Sequence, residues 1–181
     1  MGNLGVHGFS SPSEKSSEVI YDKTVTAPTS RFFVPNIPQN GYEIEIKFLG
    51  QAAYVTNGAI LVALNGDETS GNYHVTRHRG GTPHQMYDAD GRQVAIIPGT
   101  SVVTEGITTP GMVNARIINP FTSAFTKYIY SVSVVRFATY TEIWQYGVHW
   151  ENTSPIQSLL FTTNASENFS IGSRMIVKVN R

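Results

Sequence analysis

The sequence predicts an all-β chain: an antiparallel β-sandwich of jelly-roll type, residues 30–181, preceded by an extended polar N-terminal arm, residues 1–29. Apolar residues recur with a period of two in run after run, and the runs are short and bounded by Asn, Ser, Pro and Gly clusters. No window carries a helical period with capping residues at both ends. About eight to ten strands joined by turns make two packed sheets or a closed barrel. Periodicity does not separate a jelly roll from an immunoglobulin-like sandwich, but the chain has no cysteine, so the Cys-Trp-Cys framework of the latter is missing. No repeat of propeller or solenoid length is present.

Along the chain, residues 1–17 are rich in Ser and Gly, with Leu4, Val6 and Phe9 as isolated apolar anchors, and cannot build a core of their own. Glu18–Thr26 is β-rich and is expected to pair with the domain or with a neighbouring subunit. Tyr42, Ile44, Ile46 and Phe48 alternate with Glu43, Glu45 and Lys47, the pattern of a half-buried strand. Ala59–Leu64 and Tyr73–Arg79 flank Asn65-Gly-Asp-Glu-Thr-Ser-Gly-Asn72, a polar, glycine-bearing connection of hairpin type. Residues 80–92 read as loop, broken by Gly80-Gly81, Pro83 and Gly91.

Val94–Ile97, Ser101–Thr104 and Met112–Ile118 read as shorter strands, and Asn119–Phe125 as one turn. The longest tracts follow, Lys127–Ala138 and Glu142–Trp150. Three apolar runs between Tyr146 and Val179, separated by turn residues, predict that the chain ends as a meander.

Composition narrows the function. Thirteen basic residues against thirteen acidic ones leave no positive excess for nucleic acid. Charged residues are 14 % of the chain, against the ~25 % usual for soluble domains, which fits a surface that faces other subunits. A secretory signal, a myristoylation motif and a membrane-spanning run are not expected. Asn152, Asn164 and Asn168 satisfy the glycosylation pattern by chance.

Catalytic motifs are missing: no nucleophile elbow, zinc-protease helix or phosphate loop occurs. Glu43 and Glu45 are placed on the outer face of a strand rather than in a cleft. His74 and His78 share a strand face but stand ~13 Å apart along it, too far for one ion. Neither a metal nor a cofactor is therefore expected. Asp67 with Glu68, and Asp88 with Asp90, resemble calcium loops but lack the closing Glu, and turn formation accounts for them; calcium at a subunit contact stays open. Arg77 and Arg79 concentrate positive charge on what reads as a guarded strand edge, a candidate contact for an acidic partner. Tyr140, Trp144, Tyr146 and Trp150 share a strand face, expected to fill the core, or, if exposed, to stack on sugars.

Several short motifs in a common order resemble a module of tailed-bacteriophage virion proteins. They are Phe33-Val-Pro-Asn-Ile-Pro38, Leu64-Asn-Gly-Asp67, Gly71-Asn-Tyr73, Thr126-Lys-Tyr128, Trp150, Thr153-Ser154, Ile156 and Asn168-Phe169. Residues 82–111 follow no part of that pattern. The resemblance implies a jelly-roll module that trimerises on the virion, either cementing the capsid shell or standing on a tail appendage.

The expected function is thus a capsid decoration protein, not an enzyme, that binds across capsomers in a particle assembled in the bacterial cytoplasm. Its expected partners are its own copies and the major capsid protein or other virion proteins. Val6, Phe9, Val19 and Tyr21 of the arm are the expected contact residues, together with Arg77 and Arg79. The alternative is a tail or baseplate protein that binds a host glycan.

Overall fold

The computed structural model describes residues 16–52, 60–69, 71–80, 85–88, 95–97, 101–102, 111–136, 141–163 and 168–181. Thirteen strands are described: β1 (Ser17–Thr24), β2 (Arg31–Val34), β3 (Glu43–Ala52), β4 (Ile60–Leu64), β5 (Tyr73–Gly80), β6 (Gln85–Asp88), β7 (Ala95–Ile97), β8 (Ser101–Val102), β9 (Gly111–Ile118), β10 (Lys127–Arg136), β11 (Thr141–Trp150), β12 (Leu159–Thr163) and β13 (Arg174–Asn180). No helix occurs among the described residues. The chain is an antiparallel β-sandwich.

Its large sheet runs β1-β13-β3-β9-β10-β11-β5-β6, with β8 added in parallel to β3, and its small sheet runs β2-β12-β4-β7. Four antiparallel pairs are nested in sequence: β1 with β13, β2 with β12, β3 with β9, and β4 with β7. Nesting of this kind is what one long hairpin produces when it is wrapped around a common core, and it is the jelly-roll arrangement. The two segments that interrupt the nesting, β5–β6 and β10–β11, both extend the large sheet on the side of β9. That extension leaves a broad sheet whose outward residues include the half-exposed Leu49, Met112, Tyr128, Tyr130 and Ile143.

The interior follows from the period-two pattern. Ile44, Ile46 and Phe48 of β3, Val113, Ala115 and Ile117 of β9, and Met175, Val177 and Val179 of β13 all point inward and are buried. They meet Phe32, Val34, Val62, Leu64, Leu159 and Phe161 of the small sheet. Each of these side chains larger than Ala115 contributes about 1.5–3 kcal/mol by leaving water. Phe32, Phe48 and Phe169 cluster with ring centroids 4.7–6.4 Å apart. Trp144, Tyr146 and Trp150 are buried too, so the aromatic face of β11 fills the core; Tyr140 lies outside the described residues. Ser131 and Ser133 of β10 pair with Tyr146 and Trp144 and leave room for those rings, their hydroxyls finding no partner among the described residues.

One end of the sandwich is held by polar side chains. Asn65 and Gly66 have φ of 54° and 72°, and the Asp67 amide donates to the Leu64 carbonyl at 2.9 Å, the pattern of a type I′ turn. Asn65 then reaches across to residues 155–158: its Nδ2 donates to the Pro155 carbonyl (2.9 Å), and its Oδ1 accepts from the amides of Gln157 (2.7 Å) and Ser158 (3.2 Å). Asp67 accepts from the Trp150 indole (2.7 Å), the Asn72 amide group (2.9 Å) and the Thr69 backbone (2.9 Å). The Tyr73 hydroxyl donates to the Asp67 carbonyl and accepts from the Leu64 amide, and its ring stacks on Trp150. Burial pushes that hydroxyl well above its usual pKa.

Lys127 is the other anchor. Its ammonium is fully buried and donates to the carbonyls of Thr122, Phe125 (2.8 Å) and Thr153 (3.1 Å), tying residues 122–125 to the segment after β11. Burial lowers its pKa, and the three carbonyls are the counterweight that lets the charge stay inside.

Four expectations change. Residues 59–79 do not form a hairpin: β4 lies between β12 and β7 in the small sheet, and β5 between β11 and β6 in the large one, so the Asn65-Gly66 turn starts a crossing between sheets. Nor is the C-terminus a meander. β11 stays beside β10 in the large sheet, β12 crosses to the small sheet between β2 and β4, and β13 returns to the large sheet between β1 and β3. The stretch 80–92 contains a strand, β6, which pairs with β5 and removes β5 from the sheet edge. Tyr42 is exposed, whereas Glu43 is nearly covered, accepting from Asn180 Nδ2 at 2.7 Å with Arg116 3.7 Å away.

Replacing Lys127 with Met will lower stability by at least about 2 kcal/mol in urea denaturation, because it removes the donor that the carbonyls of Thr122, Phe125 and Thr153 share. Asp67 has a second, pH-dependent signature. Partial burial opposes its ionisation, but the hydrogen bonds from Trp150, Asn72 and Thr69 prevail and hold its carboxyl below the usual range. A depressed folded-state pKa adds stability that is present above the unfolded value of about 4 and is lost as pH falls through the folded one. Asp67→Asn will therefore be less stable at neutral pH and will lose less on acidification than the parent, read from urea midpoints across that range.

Candidate functional site

Because alternate residues of each large-sheet strand point inward, the others form a continuous outer surface whose rows are set by register. Leu49 stands opposite Met112, Met112 opposite Val134, and Val134 opposite Ile143, giving an apolar stripe across β3, β9, β10 and β11. Leu49, Met112 and Ile143 are each about half exposed, at 51–52 %. Tyr130 (51 %) and Tyr128 (58 %) continue the apolar surface along β10, with Ile118 beside Tyr128. Next to the stripe, Lys47, Leu49, Met112, Asn114, Arg174 and Ile176 border a groove of about 350 Å³.

Charges on this face answer one another. Lys47 pairs with Glu45 at 3.1 Å and Arg116 approaches Glu43 at 3.7 Å. At the β1–β13 margin Arg174 grips both carboxylate oxygens of Asp22, at 2.8 and 2.6 Å, and that hydrogen bonding holds the Asp22 carboxyl below its usual range. Arg181 likewise meets Glu18. What the face offers another molecule is chiefly apolar area and shape.

At the Tyr128 end the outer surface changes character. Tyr128, His149 and His74 lie opposite one another on β10, β11 and β5, and their rings form a ladder: Tyr128 to His149 at 4.8 Å and 17°, His149 to His74 at 5.9 Å and 25°. His74 Nε2 is 2.8 Å from Glu151 Oε1, and His149 Nε2 is 2.8 Å from Thr126 Oγ1. Thr126 immediately precedes β10 and Glu151 immediately follows β11, so both partners come from the same end of that strand pair.

Of the residues expected to make contacts, Val19 is half exposed on the outer face opposite Lys178. Tyr21 instead belongs to the core margin. A register shift between Val19 and Tyr21 turns it inward, edge-on to Phe32 at 6.4 Å. The β-rich part of the expected arm, residues 17–24, thus pairs with β13 of its own domain, while Val6 and Phe9 lie outside the described residues. Arg77 and Arg79 hold backbone positions opposite Tyr146 and Trp144, and their side chains lie outside the described residues. His74 and His78 do share the outer face of β5, but His74 meets His149, two strands' registers having brought together residues 75 positions apart in number.

The stripe and the ladder escaped the sequence reading. Period two places Leu49, Met112, Ile143 and His149 on outer faces, but which outer residues adjoin is decided by pairing between strands distant in sequence.

Comparison with known proteins adds little. No family model and no curated protein matches the chain. Among solved structures, the "Structure of infectious bursal disease virus Gt strain" aligns at a TM-score of 0.13 and 11 % identity, over 99 % of this chain and 45 % of that one, so this chain spans under half of its length. A TM-score so low carries no argument.

If the stripe faces solvent in the free protein, Met112→Glu and Ile143→Glu will each move the urea midpoint by the equivalent of about 0.5 kcal/mol or less. A core position would show several times that loss.

Proposed function

We propose that this chain is a structural protein of a virus particle, a decoration protein that holds a capsid shell through contact rather than chemistry. The Leu49–Met112–Val134–Ile143 stripe is the observation that supports this reading. A monomeric surface seldom leaves a contiguous apolar row across four strands, and rows of this kind mark protein contacts. The jelly-roll topology is one that viral coat and lectin domains use, and a rigid sheet is well suited to present a flat contact surface. Resemblance to tailed-phage virion modules points the same way and supplies the expectation of a trimer.

The motifs behind that resemblance have a physical role here. Asn65, Asp67, Tyr73, Lys127, Trp150 and Ile156 belong to the scaffold at one end of the sandwich or to the core beside it. They keep the fold rigid and do not themselves face a partner. A second reading, a tail protein that binds host glycan, is favoured by the exposed Tyr128 and Tyr130 rings, which suit stacking on sugar.

Purified protein added to undecorated shells of the phage that encodes it will bind in saturating, ordered copies visible by electron microscopy. The Met112→Glu, Ile143→Glu double variant will fold and fail to bind. Full occupancy by that variant would remove the stripe from the contact, and absence of the chain from purified particles would reject the function. Saturable binding to host polysaccharide in place of shells would establish the second reading.

A further inference from the structure

We propose that His74, His149 and Glu151 form a binding site for a divalent transition metal, with Zn²⁺ the ion their donors suit best. One ligand atom from each residue lies within 4.8 Å of the others. Two ligands bound tetrahedrally to zinc at 2.0–2.1 Å stand roughly 3.3–3.5 Å apart. His74 Nε2 and Glu151 Oε1, 2.8 Å apart, and the 4.8 Å within which all three ligand atoms lie bracket that separation. Small rotations of exposed or half-exposed side chains bring the three onto one ion.

The surroundings favour a metal over a lone hydrogen bond. Two imidazoles and a carboxylate are the set that catalytic and surface zinc sites use, with water completing the shell, whereas calcium and magnesium prefer oxygen alone. The Tyr128 ring, 4.8 Å away and nearly parallel, fixes the plane of His149, and Thr126 Oγ1 contacts its Nε2, so this ligand is oriented before any ion arrives. His74 and His149 are directly opposite on adjacent strands, so the rigid sheet fixes their spacing. His78 is excluded, since it pairs with Gln145, four residues or ~13 Å along the strand. The inference stands independently of the proposed virion role.

Titration of the full chain with ZnCl₂, followed by calorimetry, will show saturable uptake of one ion per chain. His74→Ala and His149→Ala will each abolish it, Glu151→Gln will weaken it at least about tenfold, and Thr126→Val about tenfold through the lost support of His149. His78→Ala will bind as the parent does. Circular dichroism will show the same all-strand spectrum for every variant, so loss of metal will not be mistaken for loss of fold. Cobalt in place of zinc will give the intense visible absorption of a four-coordinate site in the parent and not in His149→Ala. Absence of saturable uptake, uptake that survives in His149→Ala, or an equal loss in His78→Ala would overturn the site.

Discussion

The crossing from the large sheet to the small one after Trp150 is the constraint on which the structure depends. Residues 151–158 must leave β11, pass over one end of the sandwich and deliver Leu159 into register between β2 and β4. Such a segment has few ladder bonds of its own, and its backbone groups need partners. Asn65 supplies three, Lys127 takes the Thr153 carbonyl, and Ile156 donates to the Pro120 carbonyl at 2.9 Å. Asp67, held against Trp150 at the point where the crossing begins, connects the same end to the β4–β5 turn. A buried ammonium is costly in isolation and is tolerated here because three carbonyls of the crossing and its neighbour accept its protons.

That arrangement separates two kinds of work. Inward positions of the large sheet build the core with the small sheet, while several outward positions, Leu49, Met112, Tyr128, Tyr130 and Ile143 among them, stay about half exposed. The result is a face on which apolar side chains, paired charges and the His–Tyr ladder lie side by side. A contact surface and a metal site can both occupy such a face, because neither has to displace a core residue. The His74–His149–Glu151 cluster adjoins the end that the polar scaffold fixes, which is where the sheet is best able to hold ligands in place.

Much of the fold was legible before any coordinates. The alternation in 42–48 places Ile44, Ile46 and Phe48 inside, and the even-numbered aromatics of 142–150 are core. Where the reading failed, a local rule met a distant competitor. Asn65-Gly66 adopts the backbone of a hairpin turn, yet the strands on either side pair elsewhere, because β12 and β7 occupy both sides of β4. Tyr42 obeys the period but lies just before the first residue of β3 and is exposed. Tyr21 was displaced from the surface by a one-residue shift in β1 that no local pattern announces.

Sequence alone determined that this protein is built of strands, which residues of most strands face inward, and that no familiar catalytic motif is present. Those properties depend on side-chain chemistry at spacings of two to four residues, and a linear text records them. Tertiary structure decided which strands are neighbours, hence the nested pairing, the apolar stripe and the meeting of His74 with His149. Register between strands separated by tens of residues follows from the packing of the whole core, and that balance of energies has no local signature.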